Sequence, residues 1–393
     1  MSSPTSSAKP DSAAELVGAD SAAADSATGP AAPVEIRAGA STYEAWVGGA
    51  LLERLPDLVS RAGLHGRSRI VADRAVWDAY GAVIEQAFRD AEREAPVYAT
   101  AGGEEQKTLA GAERVYNWLL DVGTDRGDHV IAVGGGVVGD MAGFVAATLM
   151  RGIPVVQVPT TLLAQVDSSI GGKAGVNHKL GKNLIGAFHQ PSLVVADTRV
   201  LRTLPEREYR AGWAEIIKMA MILDAELFER LEARAEALLA FENQAVLAHA
   251  IRRSIELKGG VVGSDERESG QRVVLNYGHT IGHALEAATG YGRLLHGEAV
   301  AIGMGGAGSI ANRRGLLSDD AFARQSRLLE RFGLPRRAPD VRAADLLGPL
   351  SRDKKARGKT LQWILADGIG SVTTARDVTA DEVTAALSYV GCD

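Results

Sequence analysis

The sequence has a single cysteine, Cys392, among 393 residues. No disulfide can form within the chain, so a reducing compartment is expected, here the cytoplasm. A thiolate metal site is excluded as well, and any metal must be held by His, Asp or Glu. No apolar run approaches the ~20 residues of a membrane span, and no membrane partner is expected. The opening "MSSPTSSAKPDSAAELVGAD" lacks the apolar core of a secretory signal. An excess of basic charge is also missing. Lys and Arg number 43 against 49 Asp and Glu, a net charge of −6, which argues against a nucleic-acid partner while leaving local basic pockets open. Large apolar residues are lacking from residues 1–33, which are rich in Ala, Ser, Asp and Pro. Such a stretch buries too little surface to fold and is read as a disordered tail.

Beyond the tail, 46% hydrophobic content and a mean hydropathy of −0.02 fit a globular chain with a sizeable core. The length suggests two domains. "SRIVAD" (68–73), "DHVIAVGGG" (128–136), "VVQVP" (155–159) and "LVVAD" (193–197) read as buried strands. Helical stretches at 104–122 and 139–150 alternate with them, the pattern of a parallel α/β sheet. After about residue 200 the strand signals fade. Residues 207–241, 244–258, 278–289 and 297–313 read as helices, with a small hairpin at 361–372. The expected organisation is therefore an α/β domain over 34–200 and a mainly helical domain over 201–393, divided near "LRTLPERE".

Four segments carry chemistry. In "IAVGGGVVGDMAGFVAA" an apolar strand runs through three glycines into a helix opening near Gly139. Glycines let backbone amides approach an anion, and a helix N-terminus favours negative charge, so a pyrophosphate site or a tight strand–helix turn fits. Asp73, at a strand end, could hold ribose hydroxyls or simply shape a turn. "PTTLLAQVDSSIGGKAGVN" and "GKNLIGAFHQP" crowd Thr160, Thr161, Asp167, Ser168, Lys173, Lys182 and Asn183 into loops suited either to solvent or to phosphate. The helical half holds the titratable cluster. Glu215 and Lys218 stand three apart in an apolar helix, where unpaired charge is costly. "LNYGHTIGHALE" brings Asn276, His279 and His283, and "LHGEAV" adds His296 and Glu298. Two histidines and a carboxylate with an open position make a catalytic zinc pattern. The four-residue spacing of His279 and His283 puts both rings on one helix face but cannot say whether both bind metal. Glu268, Arg272 and Asn276 follow one another at four-residue intervals, and Arg272 suits a carboxylate or phosphate. "SRDKKARGKT" reads as a solvated basic loop or a substrate clamp.

Together these segments closely resemble the 3-dehydroquinate synthase family of sugar phosphate cyclases, in the family's order, over about residues 40–370. The resemblance implies a Rossmann-like NAD-binding domain, an all-helical metal-binding domain, an active site between them, and a homodimer. It implies Glu215, His279 and His296 as zinc ligands, with Co2+ possible, and His283 as a catalytic residue that does not bind metal. For NAD it implies Asp73, Glu104, Lys107, Gly136, Val137, Gly139, Asp140, Thr160, Thr161, Asp167, Ser168, Lys173, Lys182 and Thr203; Ala75 departs from the family's frequent Asn. For substrate it implies Lys173, Asn183, Lys218, Lys258, Arg272, Asn276, Arg151 from a neighbouring subunit, and either Lys354 or Lys355. The implied reaction turns the sugar acid phosphate 3-deoxy-D-arabino-heptulosonate 7-phosphate into 3-dehydroquinate and phosphate, a step of the shikimate pathway. It proceeds by NAD-mediated oxidation, β-elimination, reduction and intramolecular aldol closure. The alternatives are another cyclase, such as an aminodehydroquinate synthase, or a metal-dependent polyol dehydrogenase.

Overall fold

The structure, a computed structural model, describes residues 32–268, 270–338, 340–356 and 361–392, with the side chains of 351–356 outside that description. The expected disordered tail lies outside the described residues up to residue 31. The first half holds strands β1 (Val34–Ala38), β2 (Ser41–Gly48), β3 (Ser68–Asp73), β4 (Val97–Thr100), β5 (His129–Gly134), β6 (Val155–Pro159), β7 (Lys173–His178), β8 (Gly181–Phe188) and β9 (Leu193–Asp197). Its helices are α1 (Leu55–Arg61), α2 (Arg74–Asp90), α3 (Leu109–Asp121) and α4 (Gly136–Thr148). The second half holds α5 (Glu206–Leu223), α6 (Ala225–Leu239), α7 (Gln244–Ser264), α8 (His279–Ala288), α9 (His296–Arg313), α10 (Asp319–Arg331), α11 (Ala343–Ala356) and α12 (Ala380–Tyr389). Strands β10 (Trp363–Gly368) and β11 (Ser371–Ala375) pair as a late antiparallel hairpin.

Seven strands form one sheet in the order β1-β2-β9-β6-β5-β3-β4, parallel except for the β1–β2 edge pair. The four strands read from sequence are its contiguous centre, where both faces are covered and the residues run apolar without alternation. In β5, Ile131 and Val133 join the core under α1 and α2, while Val130 and Ala132 join the opposite core under α3 and α4. Sequence reading missed β1, β2, β4 and the β7–β8 hairpin. β1 alternates buried and exposed residues as an edge strand, and the hairpin carries glycines and polar residues that read as loop. Two further boundaries differ. α4 opens at Gly136 rather than Gly139, directly after the strand's last glycines. The "SRDKKARGKT" segment continues α11 as far as Ala356, and residues 357–360 lie outside the described residues.

In a parallel sheet the C-terminal strand ends share one edge, where ligands of open α/β folds bind. Here that edge carries Asp73, Gly134, Pro159 and Asp197. The other end of the sheet, β1, β2 and β9, contributes Ile36, Tyr43, Ala45 and Val194 to the same core as α5, α7, α8 and α9. That shared core seats the helical half over the sheet.

Candidate active site

Three elements converge on a buried carboxylate. In α5, 13 residues in and around Glu215 are buried, and Glu215 itself is 0% exposed. His279 and His296 are the first residues of α8 and α9. Close helix contact brings them together. A Cβ on Gly303 of α9 would stand 1.9 Å from the Gly278 carbonyl oxygen, and one on Gly297 would stand 1.9 Å from that of Ala211 on α5. Only glycine permits these approaches. Gly278 also needs its own freedom, since it enters α8 at φ 79°.

Nε2 of His279 then lies 3.7 Å from Glu215 Oε1, and Nε2 of His296 lies 3.8 Å from the same oxygen. The three residues each offer a ligand atom within 4.8 Å of the others. Neither Glu215 oxygen has a hydrogen-bond partner among the described residues. Lys218 Nζ comes within 2.5 Å of Oε2 as an ion pair, but at an angle that makes no hydrogen bond. A buried carboxylate with open lone pairs facing two imidazoles fits a divalent metal ion. Burial, reinforced by the charge of Lys218 and the neighbouring histidines, holds His279 well below its ordinary pKa, leaving the ring neutral and able to ligate. Burial also opposes protonation of His296, but the hydrogen bond and charge of Glu286 outweigh it and raise its pKa. His283 is one turn along α8, exposed, with its ring centroid 5.1 Å from that of His279 and 6.1 Å from that of His296.

Basic residues surround this cluster, and each lysine has an acid of its own. Lys173 pairs with Glu268, which also accepts from Asn276 Nδ2 at 3.0 Å. Lys258 Nζ lies 2.5 Å from Asp167 Oδ1. Burial pushes the Lys258 ammonium down, and the pairing with Lys258 and nearby Lys218 overcomes burial to hold Asp167 well below the usual carboxylate range. Arg272 is 2% exposed, and its guanidinium donates to the Glu266 carbonyl at 2.6 Å. The helical spacing of Glu268, Arg272 and Asn276 does not hold, because Gln271–Asn276 is a 3-10 turn, yet the turn still brings these residues to one place.

On the sheet side, the Gly134–Gly136 turn leads into α4. A Cβ on Gly135 would stand 2.9 Å from Thr161 Cγ2, one on Gly136 3.0 Å from Ser168 Oγ, and one on Gly139 2.7 Å from Gln157 Oε1. The turn is thus a bare-backbone cradle at a helix N-terminus, the form that accepts a pyrophosphate. Val137 lies in the first turn of that helix. Lys107 Nζ is 2.5 Å from Asp140 Oδ2, and burial raises the Asp140 pKa against the pull of Lys107. Glu104 accepts from Asn177 Nδ2 at 2.7 Å. Thr160 keeps a buried hydroxyl without a partner among the described residues, and Thr161 caps the next turn through Ala164 N. Asp73 Oδ1 caps α2 through the amides of Ala75 and Val76. Thr203 lies farther along, bonded to the Tyr80 hydroxyl at 3.0 Å. The turn Ala164–Ser168 joins the two sides, because Ser168 faces Gly136 while Asp167 holds Lys258.

Arg151 is exposed beyond the end of α4 at φ 72°. Asn183, at φ 56°, donates its amide to Asn177 Oδ1 on the β7–β8 hairpin. Lys354 and Lys355 fall in α11, outside the described side chains. Glu298 does not face the cluster as a ligand. It accepts from the Leu295 amide at 2.8 Å and pairs with Arg207. Sequence reasoning gave no role to Glu286, which lies at the end of "LNYGHTIGHALE" and bonds His296 Nδ1 at 3.1 Å. Its placement three residues after His283, on the same helix face, was the available signal.

A glycine cradle at a helix N-terminus, together with two histidines and a carboxylate near lysines, suits an enzyme that uses a nucleotide and a metal. The sequence is more specific. The profile of the 3-dehydroquinate synthase N-terminal region matches residues 97–211 and that of its C-terminal region residues 212–356. A 3-dehydroquinate synthase of Synechococcus sp. (strain CC9605) is 46% identical over 351 residues, 88% of this chain and 94% of the relative. The chain belongs to the 3-dehydroquinate synthase family. Among solved structures, a 2-epi-5-epi-valiolone synthase from Streptomyces hygroscopicus subsp. jinggangensis with NAD+ and Zn2+ bound is similar at a TM-score of 0.83. It is 31% identical, with 89% of this chain and 97% of that one covered. A 2-deoxy-scyllo-inosose synthase complexed with carbaglucose-6-phosphate, NAD+ and Co2+ follows at 0.76 and 30% identity, covering 88% and 97%.

Proposed function

We propose that the cleft between the glycine cradle and the histidine cluster converts 3-deoxy-D-arabino-heptulosonate 7-phosphate into 3-dehydroquinate and phosphate, using NAD and a divalent metal. The observation that carries this reading is the buried Glu215 carboxylate, with Oε1 facing His279 and His296 and Oε2 against Lys218. Zinc is the ion proposed, as the donor set suits it, and cobalt fits the same set. When bound, the nicotinamide supplies a hydride acceptor and donor, and the metal a Lewis acid at the alcohol to be oxidised.

The chain's own residues bind, orient and move protons. Asp73, Glu104, Lys107, Asp140, Thr160, Thr161, Ser168, Lys182 and Thr203 join the glycine cradle in holding the dinucleotide. Lys173, Asn183, Lys218, Lys258, Arg272, Asn276 and one lysine of α11 hold the substrate's carboxylate and phosphate. His283, on the same face of α8 as His279, takes the alcohol proton. The departing phosphate can accept the carbon proton itself, so elimination requires no further strong base. Exposed Leu180, Leu184 and Phe188 on the β7–β8 hairpin support a homodimer, in which Arg151 reaches the partner's phosphate site. The compartment proposed is the cytoplasm; among the described residues no helix is long and apolar enough to cross a membrane.

The test is to supply the heptulosonate phosphate with NAD and zinc, then measure phosphate release and identify the carbocycle. Phosphate released without net reduced cofactor is expected. Net reduced cofactor without phosphate would point to a polyol dehydrogenase. Turnover only of an aminated substrate would point to an aminodehydroquinate synthase.

A further inference from the structure

Glu286 takes no part in the reaction as written, yet it is 5% exposed and holds two basic neighbours from different parts of the chain. Its Oε2 accepts from His296 Nδ1 at 3.1 Å, and its Oε1 lies 3.4 Å from Lys182 Nζ. An imidazole with its proton on Nδ1 presents a lone pair on Nε2. Nε2 is the His296 atom that faces Glu215. The bond to Glu286 therefore selects the tautomer and ring angle that metal ligation needs. His279 is supported differently, its Nδ1 donating to the Tyr277 carbonyl at 3.1 Å. One histidine is set by a fixed backbone oxygen and the other by a side-chain carboxylate.

That carboxylate is itself held from outside the helical half. Lys182 belongs to β8, and its ammonium also sits 5.0 Å from the Tyr291 ring centroid, a cation–π distance. We propose that Glu286 and Lys182 form an outer layer of the metal site, in which Glu286 positions His296 as a ligand and Lys182 holds Glu286 in place from the α/β half. The inference rests on the proposed reading that Glu215, His279 and His296 hold the ion. It makes Lys182, proposed above as a dinucleotide contact, a determinant of metal affinity even when no dinucleotide is present. Outer-shell partners of ligating histidines typically change metal affinity by about 10- to 100-fold when removed.

The test titrates zinc into metal-free full-length protein, without NAD, in competition with a chromophoric chelator. Glu286→Ala is expected to weaken zinc by about 10- to 100-fold. Glu286→Gln should weaken it less, because its amide oxygen still accepts from Nδ1. Lys182→Ala, on the half-exposed hairpin, should weaken it by roughly three- to tenfold. Visible spectra of the cobalt-loaded proteins should shift in Glu286→Ala, and unchanged circular dichroism of the metal-free variants separates positioning from folding. Equal zinc affinity and unchanged cobalt spectra across all variants would overturn the inference. So would two ions in the native protein with only one lost in Glu286→Ala, because His283, Glu286 and His296 also offer ligand atoms within 4.8 Å of one another, and Glu286 would then be a direct ligand. A native protein that binds no zinc at all overturns the metal-site reading instead.

Discussion

The two halves build their sites from opposite materials. The α/β half offers mostly backbone: a glycine turn between a buried strand and a helix, with side chains kept out of the cradle. The helical half offers side chains brought to fixed positions by close helix contact, with a buried carboxylate set between two imidazoles and one lysine. A backbone cradle costs little when empty, since amides at a helix start are unsatisfied in any case. A side-chain cluster must be held against the cost of burying charge. This explains why each lysine around the cluster comes with its own carboxylate. On the proposed reading, the substrate's anions replace Glu268 at Lys173 and Asn276.

The comparison breaks first at the histidines. Substituting alanine for His279 or His296 should abolish zinc retention and turnover together, as measured by metal content and phosphate release. His283→Ala should lower kcat by about 10²- to 10⁴-fold, the range for a lost proton-transfer group, while zinc remains bound. His283→Ala protein without zinc would sink the division of roles between two rings one turn apart.

Next comes the packing that sets the helical site. Gly303→Ala puts a methyl group 1.9 Å from the Gly278 carbonyl, a backbone atom that cannot turn aside. We expect α8 and α9 to be forced apart at a cost of about 3 kcal/mol, with weaker zinc binding, read by chemical denaturation and metal titration. By contrast, Gly139→Ala meets the end of the Gln157 side chain, which can move, so it should raise the NAD requirement with little loss of stability.

A pH effect of at most about 3 kcal/mol is expected from the α/β half. His129 in β5 is buried, its Nε2 bonded to Ser68 Oγ at 2.8 Å and its Nδ1 without a partner among the described residues. Burial, aided by the charge of Arg93, lowers its pKa from 6.5 to about 4. Between those values the unfolded chain binds a proton that the folded chain refuses. Stability from this residue is therefore complete above about pH 6.5 and falls as the pH drops toward 4, by at most about 1.4 kcal/mol for each pH step of one across that window. His129→Gln should flatten the denaturation midpoint over the same range. An unchanged slope would mean the ring takes up a proton in the folded state.

Legibility followed the same division. The four central strands were readable because burial on both faces leaves continuous apolar runs, and the glycine turn because its composition is its function. β1 and β4 were not, since edge strands are short or amphipathic. The β7–β8 hairpin was not, since Gly175 and Gly186 leave their strands with gaps in the pattern; a Cβ on Gly186 would stand 2.4 Å from the Ala174 carbonyl oxygen. At the metal cluster, residue types were legible but partnership was not. Which carboxylate faces which histidine depends on helix crossings set by Gly297 and Gly303, and no local spacing encodes those. Glu286 stayed unread for that reason, and Glu298 looked like a ligand.

Glu298 gives the smallest and sharpest contrast. It lies two residues after His296, as close in sequence to a ligand as any acid in the chain. Its oxygens are already engaged, accepting from the Leu295 amide at 2.8 Å and from the Arg207 guanidinium at 2.7 Å. Arg207 is largely exposed, so the ion pair itself contributes little. The cap at the start of α9 is the larger part, about 1 kcal/mol. Glu298→Ala should therefore cost about that much in denaturation while zinc affinity stays within about twofold of the native protein, because the α9 N-terminus is also pinned by Gly297 against Ala211. A carboxylate whose lone pairs are filled by donors shapes a helix; Glu215, whose Oε1 faces two imidazoles, is suited to an ion. A large loss of zinc in Glu298→Ala would show that the cap, and not only glycine packing, sets where His296 points.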